Sequence, residues 1–133
     1  MKPAPVRHRP GGEFAAKLLF QYRVTPELGT DQQRLCEERI VRFIARSSKD
    51  ALAIAKRKGR AAQHNYRNSE GNKVHFEFVG VMDLLHLGVE CEEDEVWYDI
   101  TRRLTPMERK EKLIPADAKL LSRLPGAGER LDR

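Results

Sequence analysis

Long apolar runs are missing from this 133-residue chain. No stretch approaches the ~20 residues that a membrane-spanning helix needs. Cysteine is nearly missing too: Cys36 and Cys91 stand alone, with no CxxC spacing. That excludes a zinc finger or a disulfide framework and leaves reduced thiols as the expectation. Both have acidic neighbours, the opposite of the electropositive setting that makes a cysteine nucleophilic. The first twelve residues contain charges and prolines but no apolar core like that of a signal peptide. The expected location is therefore the cytoplasm.

Catalytic signatures are absent as well. There is no GxSxG, no GxGxxG and no glycine loop that could cradle a phosphate. A nuclease pattern would need an acid followed by Glu-x-Lys, and neither Glu77 nor Glu95 has the lysine. His64, His75 and His86 are too far apart in sequence for a local metal motif. His75, Glu77 and Asp83 would share one strand face and could hold a divalent ion, although such spacing usually marks a solvated patch. The acidic run from Glu90 to Glu95 lacks the alternating ligands and central glycine of a calcium loop. The chain is expected to be no enzyme and to carry no metal and no cofactor.

What is present is charge, and it is unevenly placed. The composition is 40% hydrophobic and 34% charged with a net charge of +5, that of a folded domain with a heavily charged surface. Lys56, Arg57, Lys58 and Arg60 cluster within five residues, and Glu90, Glu92, Glu93, Asp94 and Glu95 form an opposed acidic run. Opposed clusters give a directional field, which favours oriented encounters. Both are candidate partner-binding surfaces.

Periodicity supplies the elements. Residues 15–24 alternate as a half-buried strand: Ala16, Leu18, Phe20, Tyr22 and Val24 against Lys17, Gln21 and Arg23, with Leu19 breaking the polar side. Residues 35–45 fit either a strand or one helical face, and β-branched and aromatic residues favour the strand. Ser47 and Asp50 form a capping box that opens a helix at about Lys49, resuming past Gly59 through Ala61, Ala62 and Tyr66. Residues 68–72 read as a turn. Residues 73–82 read as a central strand with Val74, Phe76, Phe78 and Met82 on one face. His75, Glu77, Val79, Val81 and Asp83 take the other, and Gly80 marks a bulge or a close backbone approach. Residues 95–103 alternate as a fourth strand, with Val96, Tyr98 and Ile100 opposite Trp97. Thr105-Pro-Met-Glu108 reads as a second helix start.

The expected architecture is α+β: a four-stranded sheet in the order strand-strand-helix-strand-strand, one helix on a face, and short C-terminal helices. The expected organisation is a flexible tail over 1–12, a single domain over 13–104 and a helical extension over 105–133. The order of strands across the sheet stays open. If the second and third are neighbours, they are parallel and joined by a right-handed crossover; if the first and third are neighbours, the whole sheet is antiparallel. Phe20, Ile54, Phe76 and Phe78 are the expected core.

Three segments read together resemble the bacterial domain-of-unknown-function family 4288. They are Arg34-Leu-Cys-Glu-Glu-Arg-Ile-Val41, Asp50-Ala-Leu-Ala-Ile-Ala55, and Tyr66-Arg-Asn-Ser-Glu-Gly71 leading to Phe76-Glu-Phe-Val-Gly-Val-Met-Asp-Leu84. The resemblance covers about residues 14–104. It implies a first strand, a CEER strand, an Ala-rich helix and an FVGV.DL strand, and it supplies no substrate, cofactor or active residue. The functional expectation is a small binding protein that acts through protein contacts, as an adaptor or an immunity-type protein. The alternative is a nucleic-acid-binding accessory domain using the basic helix face, against which stands the lack of interleaved aromatics there.

Overall fold

In the computed structural model, residues 12–26 and 33–122 are described. The expected tail lies outside them except for Gly12, as does most of the loop after Thr25. Strands β1 (Gly12–Thr25) and β2 (Cys36–Ala45) precede helix α1 (Ser48–Ala61), and strands β3 (His64–Arg67) and β4 (Lys73–His86) follow it. They form one sheet in the order β2-β1-β4-β3 with every pair antiparallel. The fold is α+β, and of the open strand orders it is the one that makes the first and third expected strands neighbours. The chain divides into two compact units, Met1–Tyr98 and Asp99–Arg133. The second holds α2 (Lys110–Leu113) and α3 (Asp117–Leu121). Among the described residues no helix is long and apolar enough to cross a membrane.

Alternation along β1 builds the core. Phe14, Ala16, Leu18 and Phe20 are all buried on the face that α1 covers. Phe20 stacks on Phe76 of β4 with ring centroids 4.6 Å apart, and Phe78 tilts against it at 5.6 Å. Helix α1 meets this face with small residues, Ala51, Ala55 and Gly59, so its backbone comes close. The Ser47 hydroxyl accepts from Asp50 N at 3.1 Å, as a capping residue should. The Asp50 carboxylate reaches back one residue further than a capping box requires, to Arg46 N at 2.9 Å. Of the expected core, Phe20 and Phe76 are buried, while Ile54 and Phe78 are half-buried.

The fourth expected strand is the main correction. Residues 95–103 form no strand. The edge beside β4 is taken by β3, whose residues were expected to continue the helix. Helix α1 stops at Ala61, and His64 and Tyr66 then enter the sheet, where aromatic side chains fit the pleat. Without a partner strand, the alternation at 95–103 buries nothing on its expected core side: Val96 is 57% exposed and Ile100 89%. Trp97, on the expected polar side, is half-buried instead.

A second correction lies inside β4. Phe20 opposes Phe78 and Leu19 opposes Gly80, so Val79 is an extra residue; likewise Leu18 opposes Val81 and Lys17 opposes Asp83, leaving Met82 extra. Each bulge reverses the alternation. Val81 therefore packs on the core and Met82 is exposed, the reverse of the simple two-residue reading. Gly80 did point to this place.

The third correction concerns Thr105. Its φ of 39° lies in the left-handed region, not the extended conformation of a capping residue, and α2 begins only at Lys110.

Candidate functional site

The basic cluster follows from the helix geometry just described. With Ala51, Ala55 and Gly59 turned to the sheet, Lys56, Arg57, Lys58 and Arg60 fall on the remaining circumference, and all four are exposed. None pairs with a carboxylate among the described residues. Lys58 and Arg60 also sit in the last turn, where cations oppose the helix dipole favourably.

The acidic run follows β4. His86 N donates to Glu90 Oε2, and Glu92 N donates to Glu95 Oε1 at 2.8 Å. These bonds fold the segment on itself around Cys91, which is 5% exposed. Burial, with help from Glu95 and Glu90, raises the Cys91 thiol above its ordinary value. The segment ends at Trp97, whose ring lies 5.2 Å from Lys17 Nζ. Lys17 alternates with Ala16 and Leu18, so Trp97 sits on the sheet face away from α1. Among the described residues no ion pair joins the acidic run to the basic helix. The two clusters are not brought together.

On that same far face, Arg23 grips Glu77 with two parallel bonds, Nε to Oε1 and Nη2 to Oε2, each 2.9 Å. Gln21 Nε2 adds a third at 3.0 Å. Arg23 first, and Gln21 second, hold the Glu77 carboxyl down at about 2. His75 is occupied on both nitrogens, Nδ1 by Asn65 Oδ1 at 2.8 Å and Nε2 by the Thr25 hydroxyl at 2.9 Å. The strand face that could have offered His75, Glu77 and Asp83 to a metal thus commits the first two to neighbouring side chains. Among the described residues no group of three or more His, Cys, Asp or Glu side chains is arranged to hold a metal ion.

Sequence reasoning missed one feature. Where α1 ends, the described residues of the covered face form a groove of about 460 Å³. Tyr22, Val24 and Val74 floor it, Tyr66 and Leu35 flank it, and Asn68 and Asn72 of the β3–β4 turn rim it. Asn68 Oδ1 accepts from Glu70 N and Asn72 N, which holds that turn closed around Gly71 at φ 80°. Beside the groove, the Arg39 guanidinium lies over Phe20 and Phe76 at 4.9 and 5.5 Å, while Glu37 pairs with it at 2.6 Å. The Tyr22 hydroxyl meets Glu37 at 3.4 Å, and burial before that carboxylate pushes its ionisation upward. Such walls offer stacking and hydrogen bonding. The signal in the sequence was Tyr22 and Tyr66, but assigning Tyr66 to a helix hid it.

Neither the curated proteins nor the solved structures include a match to this chain. One family model does match, the one described as Domain of unknown function (DUF4288), over residues 14–96. That span runs from the first core phenylalanine through the acidic segment and covers more than half of the sequence, so the chain belongs to the DUF4288 family.

Proposed function

We propose that this chain is a non-enzymatic binding protein of the bacterial cytoplasm that acts through protein–protein contacts, as an adaptor or an immunity-type protein. Its partner presents an acidic surface to the outer face of α1. The observation that carries this reading is the four exposed cations Lys56, Arg57, Lys58 and Arg60, held on one helix and unpaired with any described carboxylate. Exposed charges of this kind act mainly by steering the encounter, which raises association rates and gives a strong salt dependence. The acidic run orients the molecule by repelling the same partner elsewhere.

The test is capture from a cell lysate at two salt concentrations, with wild type and with a Lys56→Glu/Arg60→Glu variant, followed by association kinetics on the captured partner. An acidic partner whose association slows, and whose salt dependence flattens, in the variant supports the reading. A partner bound equally by the variant removes it. Gel shifts with random duplex DNA and single-stranded RNA run beside it. Retention at physiological salt that the variant loses would put the same cations on phosphates and favour the nucleic-acid reading instead.

A further inference from the structure

β2 forms one margin of the sheet and runs for ten residues. Its inner ladder decides which backbone groups face outward. Tyr22 N donates to Leu35 O, and the β1–β2 register continues without a break from there to the Gly12–Ala45 pair. Bonded and non-bonded pairs alternate along an antiparallel ladder, so the odd-numbered residues bond inward to β1. Cys36, Glu38, Ile40, Arg42 and Ile44 turn their N–H and C=O groups to the open margin, where no described residue bonds them. Their side chains share the face away from α1 and all are exposed, Ile40 to 48% and Ile44 to 51%. Edge strands of this length are normally blunted by a proline, a bulge or charged side chains. β2 has no proline and no bulge, and its charges are of both signs, Glu37 and Glu38 with Arg39 and Arg42, so they select a partner by register and do not simply repel one.

We propose that a second copy of this chain occupies this edge, β2 pairing antiparallel with β2 about a two-fold axis at Ile40. Two-fold symmetry makes every contact reciprocal. With the axis at Ile40, that residue faces its own copy, Glu38 faces Arg42 of the second copy, Arg42 faces Glu38, and Cys36 faces Ile44. Outward-facing backbone meets outward-facing backbone throughout. On the face away from α1, other registers do worse. An axis at Glu38 or at Arg42 sets like charges directly opposite each other, and an axis at Arg39 or Val41 sets Glu38 or Arg42 against isoleucine. Glu38 has no partner among the described residues. Arg42 leans on Glu13 through Nε, and a guanidinium carries further donors for a second carboxylate. The product is one continuous eight-stranded sheet with both copies of α1 on the same side, so the basic helix faces are presented in duplicate.

The experiment is sedimentation velocity on the full chain over a concentration series up to its solubility limit. It compares wild type, Glu38→Arg, Arg42→Glu and the double exchange, each checked for folding by circular dichroism and thermal melt. A dimer is expected in wild type. Each single reversal sets two like-charge pairs across the axis and should raise Kd about tenfold or more, and the double exchange should restore it. Should Arg42→Glu fail to fold for want of its Glu13 contact, Glu38→Arg decides alone. Register is read separately with Ile40→Cys in a Cys36→Ser background. Opposed residues in this ladder have Cα atoms about 5.5 Å apart, within disulfide reach, so oxidation should yield a covalent dimer. A monomer at every concentration overturns the proposal. So does a dimer that either keeps its Kd in Glu38→Arg or fails to cross-link at position 40.

Discussion

Gly59 of α1 rests directly on the ring of Phe78 in β4, so closely that a Cβ at position 59 would collide with the Phe78 ring carbons. Elsewhere in a helix, alanine is better than glycine by about 1 kcal/mol. Here overpacking, which costs about 1–3 kcal/mol, works against it. Gly59→Ala should therefore lower stability by about 1 kcal/mol, a drop of several degrees in Tm. A raised Tm would mean that the ring swings aside without cost.

Phe76 is 2% exposed and touches Phe20, Tyr22 and His64 with its ring. Phe76→Ala should cost about 3–5 kcal/mol, the usual cost of deleting an aromatic side chain from a packed core. Denaturant unfolding measures it. A loss below about 1 kcal/mol would mean that the core closes over the gap.

Glu77 makes stability depend on pH. Its carboxyl titrates at about 2 in the folded protein against an ordinary 4.5, chiefly because of the Arg23 bonds. A depressed folded value means that the contribution is fully present above about 4.5 and is lost as pH falls towards 2. Glu77→Gln should be less stable than wild type near neutral pH, and the gap should close between pH 4.5 and 2. The pair is about one-third exposed, so added salt should shrink the gap too. Melts across that pH range would refute the assignment if the gap stayed constant.

The two thiols should separate kinetically. Cys36 is exposed and Cys91 is 5% exposed. Burial and two nearby carboxylates also keep Cys91 protonated to higher pH. Ellman's reagent should therefore modify Cys36 promptly and Cys91 at the rate of local opening, with Cys36→Ser abolishing the fast phase. Two equal phases would contradict the burial of Cys91.

The sequence made β1 plain, because an alternation from Ala15 to Val24 broken only at Leu19 points to a strand. Ser47 and Asp50 announced α1 within one residue. The errors share a cause. An alternating run becomes a strand only when an edge is free to receive it, and residues 95–103 compete with His64–Arg67, four residues too short to show a period of their own. The register of β1 against β4 was hidden for a similar reason: a bulge is a property of two strands, and only Gly80 hinted at it from one. Exposure of Lys56, Arg57, Lys58 and Arg60 could be read from helical spacing. The groove beside Tyr22 could not, since it forms from four segments brought together by pairing.

The paired bulges of β4 make this strand sensitive to length in a particular way. Each extra residue is a phase slip, and the second cancels the first, so Leu84 and Phe76 address the same core although Val81 between them is out of step. Loss of Val79 or of Met82, singly or together, would only remove a bulge: Gly80 would still oppose Leu19, Val81 Leu18 and Asp83 Lys17, and every face would be kept. Loss of a paired residue such as Glu77 would instead slip the ladder and turn side chains over. The slack of this strand thus sits at two positions, and a shortening of the gene is absorbed there and not between them.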